Sequence, residues 1–411
     1  MTPLPTRRPL RVHTCADIEE FTGAVLAIGQ YFGLVGDEEW IVRFSRVLPI
    51  ERTLAVRESG ATIGGAGSIP FELSVPGGSV RTAGVTIVGT HPTHRRRGVM
   101  TALMRAQLDD VHERGEPLAA LWASEETIYG RFGYGMSSFA GEISLRREYT
   151  AFSQPLSATG TVRIVEADEA LRVFPRIWNA VRRRIPGMAS RNRVWWETRT
   201  LHDAPDNRAG GGPKRLALLE LDGRPQGYAI YRHKPKWEQG VSESELSVLE
   251  AIALDGRPTA ELWRFLLDVD WYAHLRSWHL PPDHPLFFLL ATPRRMRYRM
   301  GDGLWVRLVD VGEALSARRY AADGAVVVEV TDGFCPWNEG RWRVADGLAR
   351  RTRAAAHLRC DVSALGAAYL GGIPFVQLVL AGHVEELRRG AAARADTMFR
   401  WPRAPWCPET F

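Results

Sequence analysis

Lysine, cysteine and long apolar runs are scarce in this 411-residue chain. The four cysteines form no CxxC pair, so neither a zinc site nor a disulfide framework has spacing in its favour. We expect free thiols at Cys15, Cys335, Cys360 and Cys407. No run approaches the roughly 18 apolar residues of a membrane span, and the arginine-bearing N-terminus lacks the apolar stretch of a signal peptide. The sequence predicts a cytoplasmic protein with neither a resident metal nor a membrane attachment.

Several catalytic motifs are also absent. The chain has no GxxxxGKS or GxxxxGKT phosphate loop, and its lysine-bearing GGGPKR segment is not followed by serine or threonine. The GxSxG nucleophile elbow and the HExxH and HxxEH zinc motifs are missing as well. A P-loop nucleotide site, an acyl hydrolase of that type and a metalloprotease are therefore disfavoured.

The charge balance permits a polyanion partner without requiring one. The formal net charge is +6 and the isoelectric point is about 9.3. Only Lys214, Lys234 and Lys236 are lysines, and acidic residues are interspersed throughout. Such uniform use of arginine indicates the coding preference of a GC-rich genome more than a dedicated polyanion surface. Nucleic-acid binding is kept as a minor alternative, and we expect no nucleic-acid partner.

The first segment, residues 1–150, combines helices with β-like runs. ADIEEFTGAVLAIGQYFG has apolar residues at near-helical spacing, and VRTAGVTIVGT is rich in β-branched residues. After an arginine run, Val99 begins an amphipathic helix that ends near Gly115, and PLAALWASE is the next strand. This order predicts an α+β domain with a mixed sheet.

The second segment, residues 151–297, repeats this rhythm. Strands are predicted in RLALLELDGRPQGYAIYRH and in SELSVLEAIALDG, and a Pro-Thr pair then leads into a helix with Leu262, Phe265 and Leu266 on its apolar face. The arginine run and its glycine are missing there. We infer a duplicated domain whose second copy has lost that feature, while a chance resemblance remains the alternative.

The third segment, residues 298–411, mixes strands and helices. GAVVVEVTD and GRWRV predict strands, and DVSALGAAYLGG and HVEELRRGAAARADTMF predict helices. The chain ends in WPRAPWCPETF, with two tryptophans and three prolines. Because a free tail tends to be polar and poor in aromatic residues, this composition predicts a stiff, packed terminus.

The stretch VGTHPTHRRRGVM joins a strand to a helix through three arginines and a glycine. The first N–H groups of a helix lack partners and point together beside the positive end of the helix dipole, so they form an anion socket. Gly98 would let the backbone approach a phosphate closely, and Arg95 and Arg96 could add charge-assisted hydrogen bonds. Arginines that only coated a helix start would oppose the dipole, so the pattern favours a bound anion.

RRRGVM resembles the R-x-x-G-x-G/A pyrophosphate loop of GNAT N-acetyltransferases, with Arg95 first, Gly98 at the glycine and Met100 where glycine or alanine is usual. The pairing of VGTHPTHRRRG with WASEETIYGRFGYG resembles the Eis family, the enhanced intracellular survival proteins of mycobacteria and other actinobacteria. That resemblance covers the whole chain. It implies the α+β fold class, with a catalytic GNAT domain in residues 1–150, a degenerate second GNAT-like domain in 151–297 and a sterol-carrier-protein-like domain in 298–411.

The resemblance also implies a site for acetyl-CoA as cosubstrate. The strand end would pair with the pantetheine arm, the arginine loop would hold the pyrophosphate, and the head of SEETIYGRFGYG would line the same groove. Tyr129 would be the general acid, and the free carboxylate of Phe411 would be the general base. The cofactor residues in the same order are Val88, Gly89 and Thr90; Arg95, Arg96, Arg97, Gly98, Val99, Met100 and Thr101; and Ser124 and Glu125.

These residue types suit the transfer of an acetyl group from a thioester to an amine. A tyrosine with a pKa of about 10 is protonated at pH 7 and can give its proton to a departing thiolate. An α-carboxyl with a pKa of about 3.5 is a poor base unless it is desolvated. From spacing alone, Tyr129 could instead be a core aromatic beside Phe132 and Tyr134, and the terminus could be docked only for stability.

The resemblance implies an amine acceptor of the aminoglycoside type or a lysine side chain, and a homo-oligomer, with a hexamer as the family's assembly. A non-catalytic acyl-CoA or lipid-binding protein, acting through the third segment, is the alternative. His91 and His94 have no acidic or cysteine partner nearby in sequence, so we expect neither a metal nor a base there. Glu409 and the carboxylates of GDEEW, residues 36–40, are expected to be solvated at the surface.

Overall fold

The computed structural model describes residues 10–34, 36–157 and 159–411, which form two seven-stranded sheets, one five-stranded sheet and a two-stranded ribbon. The strands in chain order are β1 (Val12–Thr14), β2 (Thr53–Glu58), β3 (Ala61–Val75), β4 (Gly78–Thr90), β5 (Leu118–Trp122), β6 (Gly135–Met136), β7 (Phe139–Arg146), β8 (Thr161–Ile164), β9 (Arg215–Leu221), β10 (Arg224–Lys234), β11 (Trp237–Glu238), β12 (Val241–Ser242), β13 (Glu245–Ala253), β14 (His274–Leu280), β15 (Arg299–Asp302), β16 (Leu304–Leu308), β17 (Ala325–Thr331), β18 (Gly340–Ala345), β19 (Leu348–Arg351), β20 (Leu358–Asp361) and β21 (Val384–Glu386). The helices are α1 (Ile18–Gly29), α2 (Glu38–Ser45), α3 (Val99–Glu113), α4 (Glu126–Tyr129), α5 (Ala167–Arg182), α6 (Arg193–Trp195), α7 (Gly256–Asp268), α8 (Leu286–Leu289), α9 (Val311–Ala317), α10 (Val362–Ala368), α11 (Phe375–Leu380) and α12 (Ala391–Phe399).

The first sheet has the strand order β1-β2-β3-β4-β5-β16-β6, and β4 and β5 are its parallel pair. Helix α1 packs on β3, where a Cβ on Gly65 would collide with the Ala24 carbonyl. Alternate residues of β2 face opposite sides: Leu54 and Val56 share a hydrophobic cluster with α3, and Ala55 shares one with α1. Helices α1 and α3 therefore cover opposite faces, and the mixed sheet predicted for the first segment is confirmed.

The second sheet repeats this plan in the order β15-β7-β14-β13-β10-β9-β8, with β13 and β14 as the parallel pair and α7 between them in the chain. In each sheet, the second strand of the parallel pair has a neighbour that comes from the other repeat of the duplicated fold. Strand β16 pairs with β5, and β7 pairs with β14. The two sheets thus exchange one strand each, so sheet membership does not follow the ranges 1–150, 151–297 and 298–411.

Helix α7, which connects the parallel strands of the second sheet, begins differently from α3, its equivalent in the first sheet. The Asp255 side chain caps α7 by accepting a hydrogen bond from the Arg257 N–H at 3.1 Å. The start of α3 has Gly98 at the corresponding place and no side-chain cap. A carboxylate therefore already occupies the positive end of α7, which accounts physically for the missing arginine run.

The third sheet has the order β19-β18-β17-β20-β21 and packs with α9 to α12. The single helix predicted over HVEELRRGAAARADTMF is wrong in its first half, because Val384–Glu386 forms strand β21, which pairs with β20. Helix α12 begins only at Ala391, after Gly390 in the left-handed region at φ 79°. The ladder to β20 outweighs a local spacing that also fits a helix.

The four cysteines are buried free thiols, as predicted. Within the three described ranges, no helix is both long and apolar enough to cross a bilayer. In the same ranges, no group of three histidine, cysteine or carboxylate side chains is arranged to hold a metal ion.

A buried ion pair joins the first sheet to the third domain. Arg307 on β16 donates to both carboxylate oxygens of Asp332 at 2.9 and 2.7 Å, and both side chains are almost fully enclosed. Asp332 also accepts the Cys335 N–H at 2.9 Å. On the other side, a Cβ on Gly133 would lie 2.7 Å from the Arg307 guanidinium carbon. The pair therefore supports the loop that follows α4.

We predict that Arg307→Met lowers the free energy of unfolding by about 3–5 kcal/mol, because it leaves Asp332 buried without its counter-charge. Chemical denaturation followed by tryptophan fluorescence would measure the change. Arg341→Met is the matched control, since Arg341 pairs with Glu329 at 3.0 Å on the surface, where an ion pair contributes about 1 kcal/mol or less. Equal effects of the two substitutions would contradict this account.

Candidate active site

Strands β4 and β5 form a fork. Their parallel ladder ends at the pair Gly84 and Ala120, while β4 continues to Thr90 through a bulge at Ile87, where φ is 50°. Beyond Gly84, no described strand pairs with the β5-facing edge of β4. Free backbone groups on such an edge can pair with an extended, amide-bearing ligand.

Val88, Gly89 and Thr90 lie at the end of β4, beyond the fork. A Cβ on Gly89 would collide with Ile28, so only glycine lets β4 pass this close to α1. The Thr90 carbonyl already accepts a hydrogen bond from the Tyr31 hydroxyl at 3.0 Å. Backbone pairing with a ligand is therefore left mainly to the two residues before it.

The start of α3 has the geometry of an anion socket. Gly98 adopts φ 84°, and a Cβ placed on it would meet nothing within 4 Å, so the space in front of the helix is open. Ala102 makes the first helical hydrogen bond, to the Gly98 carbonyl at 3.0 Å. The N–H groups of Val99, Met100 and Thr101 precede that bond and point along the helix axis. These residues fit a pyrophosphate.

The three arginines of this loop differ in their surroundings. Arg97 donates to both oxygens of Glu58 on β2, at 3.0 and 2.6 Å, and this guanidinium holds the pKa of Glu58 below its usual value. Arg95 and Arg96 are exposed, and Arg96 has a left-handed backbone at φ 59°. Two guanidiniums with no acidic partner among the described residues therefore flank the socket, and the third is held by a carboxylate.

Met100 does not obstruct the socket. Its side chain packs against the hydrophobic cluster beneath α3, and its sulfur lies 3.7 Å from an Arg131 guanidinium nitrogen. The departure from glycine or alanine at this position therefore leaves the Met100 N–H free to face a ligand.

Tyr129 ends the short helix α4 and is only 6% exposed. Burial raises the pKa of its hydroxyl above the usual value, a hydrogen bond with Ser124 lowers it, and the charge of Glu125 raises it again. Ser124 and Glu125 are exposed at the end of β5. A hydroxyl with a raised pKa stays protonated at neutral pH and can donate a proton.

Phe411 reaches the other face of the same fork. Its ring packs edge-on against Phe71, with the ring centroids 5.0 Å apart. The Phe71 ring in turn covers Gly84, where a Cβ would collide with it. The chain terminus thus lies on the α1 side of the first sheet, close to the point where β4 and β5 part.

The expectation that Glu409 is a solvated surface carboxylate is wrong. Glu409 is 6% exposed and forms an ion pair with Arg191, which also pairs with Glu250. Burial raises the pKa of Glu409, although the charge of Arg191 opposes that effect. The C-terminal tail packs against both the second and the first GNAT-like segments, through Arg191 and Phe71, and the amino-acid sequence does not show these contacts. In GDEEW, Asp37 caps α2 by accepting from the Glu39 N–H at 3.0 Å.

His91 and His94 share the Thr93 hydroxyl, each through Nδ1 at 2.7 Å. His94 has an acidic partner after all, because its Nε2 lies 3.1 Å from the Glu58 carboxylate. Both histidines thereby brace the loop that leads to the arginines. Sequence reasoning missed Glu58, Arg191 and Glu250, since each meets its partner across more than 35 positions of the chain and no local motif marks such a pair.

Family models match the chain in three consecutive parts. The model for an acetyltransferase (GNAT) domain matches residues 16–137, a second acetyltransferase (GNAT) model matches 187–308, and a sterol carrier protein domain matches 311–408. Together with the two sheets, these matches confirm the duplication. The protein is an N-acetyltransferase of the tandem GNAT class with a C-terminal sterol carrier domain.

Individual relatives narrow this class. An uncharacterised N-acetyltransferase of Streptomyces avermitilis is 43% identical over 369 residues, covering 88% of this chain and 90% of the relative. The N-acetyltransferase Eis of Mycobacterium tuberculosis is 33% identical, covering 91% of this chain and 93% of the relative. The crystal structure of Eis1 from Mycobacterium abscessus superposes with a TM-score of 0.85 at 32% identity, covering 98% of this chain and 100% of that one. This chain belongs to the Eis family of N-acetyltransferases.

We predict that the double variant Arg95→Gln/Arg96→Gln raises the Kd for coenzyme A about tenfold or more, since each lost charge-assisted hydrogen bond costs about 1.5–3 kcal/mol. Calorimetric titration would measure it. Arg105→Gln, two turns further along α3 and stacked on Phe334, is the control and should bind as the wild type does. An unchanged Kd in the double variant would remove the arginines from the phosphate site.

Proposed function

We propose that this protein transfers the acetyl group of acetyl-CoA to a primary amine in a ternary complex. The open start of α3, with its left-handed Gly98 and no capping side chain, is the observation that carries the proposal. The equivalent start of α7 is closed by Asp255. The start of α3 therefore suits a pyrophosphate, whereas the carboxylate of Asp255 occupies the equivalent place on α7.

Acetyl-CoA would supply the thioester, and the residues of this chain would bind and orient it. Backbone groups of Val88 and Gly89 suit the pantetheine arm, and the N–H groups at the start of α3 suit the pyrophosphate. Arg95 and Arg96 add positive charge, whereas Arg97 contributes through its backbone. Ser124 and Glu125 line the β5 side of the groove.

Two groups would move protons. Tyr129 would donate its hydroxyl proton to the departing thiolate, and its burial keeps it protonated until the transfer. The Phe411 carboxylate would accept a proton from the ammonium group of the acceptor, which leaves a neutral amine to attack the thioester carbonyl. The Phe411 ring packs against Phe71, which places the terminus beside the fork.

The acceptor class and the assembly rest on the family resemblance, and the location rests on the lack of a signal-peptide pattern and of long apolar runs in the sequence. We propose an aminoglycoside-like amine or a lysine side chain as acceptor, a homo-hexamer and a cytoplasmic location. A non-catalytic acyl-CoA or lipid-binding role is the alternative.

We predict that thiol release from acetyl-CoA requires an amine and falls by about 100-fold or more in kcat in Tyr129→Phe, because general acid catalysis contributes about 10²–10⁴-fold. A thiol reagent with a panel of aminoglycosides, polyamines and lysine peptides would measure it. Tyr134→Phe is the matched control, because the Tyr134 hydroxyl is buried with no hydrogen-bond partner among the described residues. Coenzyme A binding without thiol release for any amine would favour the binding-protein alternative.

We predict that adding Gly-Ser after Phe411 lowers kcat by about 100-fold, because the new peptide bond removes the free carboxylate at that residue. The melting temperature and the Kd for coenzyme A should stay at wild-type values, since the start of α3 is untouched. The same two residues added before Met1 serve as the control. Full turnover in the C-terminally extended protein would exclude the carboxylate from the mechanism.

A further inference from the structure

The second GNAT fold has a fork of its own, and the C-terminal tail is bound at it. The parallel ladder of β13 and β14 ends at the pair Val248 and Ser277. Two residues beyond that pair stand Glu250 on β13 and His279 on β14. His279 contacts the tail directly, because the Trp406 indole donates to its carbonyl, and Glu250 is joined to Glu409 through Arg191.

The two forks meet through equivalent residues. In the first sheet, Trp122 stands two residues beyond the last parallel pair, Gly84 and Ala120. The Trp122 indole stacks on the His279 imidazole with the ring centroids 4.6 Å apart. The tail therefore passes from the second fork to the first, where Phe411 packs on Phe71.

The contacts at the second fork form a tail-anchoring cluster of Arg191, Tyr228, Glu250 and Glu409. The Arg191 guanidinium pairs with both carboxylates and lies over the Trp178 ring at 3.4 Å. The Tyr228 hydroxyl donates to Glu250 at 2.6 Å. Burial lowers the pKa of Arg191, but the charges of Glu250 and Glu409 outweigh it and raise the pKa above the usual value, so the guanidinium stays charged.

The last three residues are each fixed by a different group. Glu409 is held by Arg191, the Thr410 carbonyl accepts from Arg199 at 2.9 Å, and the Phe411 ring rests on Phe71. Arg191 and Arg199 both flank α6, in the second of the three segments. The Phe411 carboxylate lies two residues beyond the buried ion pair of Glu409, so its range of positions is restricted.

We propose that the second GNAT fold, whose own anion socket is closed, serves as a clamp for the chain terminus, with Arg191 as a positioning residue that acts through Glu409 on the Phe411 carboxylate. This inference rests on the proposed function, in which that carboxylate is the general base. The second fork thus binds a segment of this same chain, and the equivalent position of the first fork is open to a ligand.

Glu409→Gln tests the clamp, because it removes the charge while it keeps the shape. We expect kcat to fall about tenfold with an unchanged KM for acetyl-CoA. Glu261→Gln is the control: Glu261 is a buried carboxylate of the same fold that pairs with Arg257 at 3.2 Å and accepts the Gly160 N–H at 2.7 Å, and neither partner belongs to the tail. Arg191→Lys, which keeps the positive charge but lacks the planar guanidinium, should show a smaller loss of kcat.

A double-mutant cycle separates positioning from simple stabilisation. In the protein extended by Gly-Ser after Phe411, Glu409→Gln should cause no further loss of kcat, since the group it positions is already gone. If Glu409 only stabilised the fold, the losses of kcat from Glu409→Gln and from the extension would instead multiply. Multiplying losses, or equal kcat for Glu409→Gln and Glu261→Gln, would overturn the proposal.

Digestion with carboxypeptidase A gives a readout that needs no turnover. Release of free phenylalanine should be at least tenfold faster from Glu409→Gln than from the wild type or from Glu261→Gln. Equal rates would overturn the clamp. A wild type that releases no thiol with any amine would refute the proposed function, while the digestion would still decide whether Arg191 and Glu409 hold the terminus.

Discussion

The fold depends on the exchange of one strand between the two GNAT sheets. Strand β16 completes the first sheet beside β5, and β7 completes the second beside β14. Without these strands, β5 and β14 would each become an edge of its sheet and would lose the hydrogen bonds that β16 and β7 supply. Neither half can therefore reach its observed form without the other, which gives a physical reason for a second GNAT fold whose anion socket is closed.

The exchange also sets where the forks stand. Strand β16 of the second half pairs with β5, and β7 of the first half pairs with β14. This exchange holds the two sheets together, and the ends of β5 and β14 meet where Trp122 stacks on His279. The Arg307–Asp332 pair then joins the borrowed strand β16 to the third domain and supports the loop that follows Tyr129. The surroundings of the first fork are thus built from all three domains.

Local patterns in the sequence predicted what is local in the structure. The helix over Val99–Glu113, the open socket at Gly98 and the duplicated strand-helix rhythm all follow from periodicity, turn residues and helix electrostatics. The exchange of strands could not be predicted, because β7 and β16 have the same apolar pattern whichever sheet they join. The burial of Glu409 was missed for a similar reason, since its partner Arg191 lies 218 positions away.

A carboxylate at a chain end is a weak base, and its use in catalysis would need an environment that only tertiary structure can supply. Two contacts of the tail bear on that need: the Phe411 ring packs on Phe71, and Glu409, two residues earlier, is held in an ion pair with Arg191. A side-chain carboxylate at Gly84 or Gly89 of β4 would need neither, but Phe71 and Ile28 of α1 leave no room for a side chain at these two positions. The close packing that opens the fork on one side therefore favours a base delivered from elsewhere in the chain.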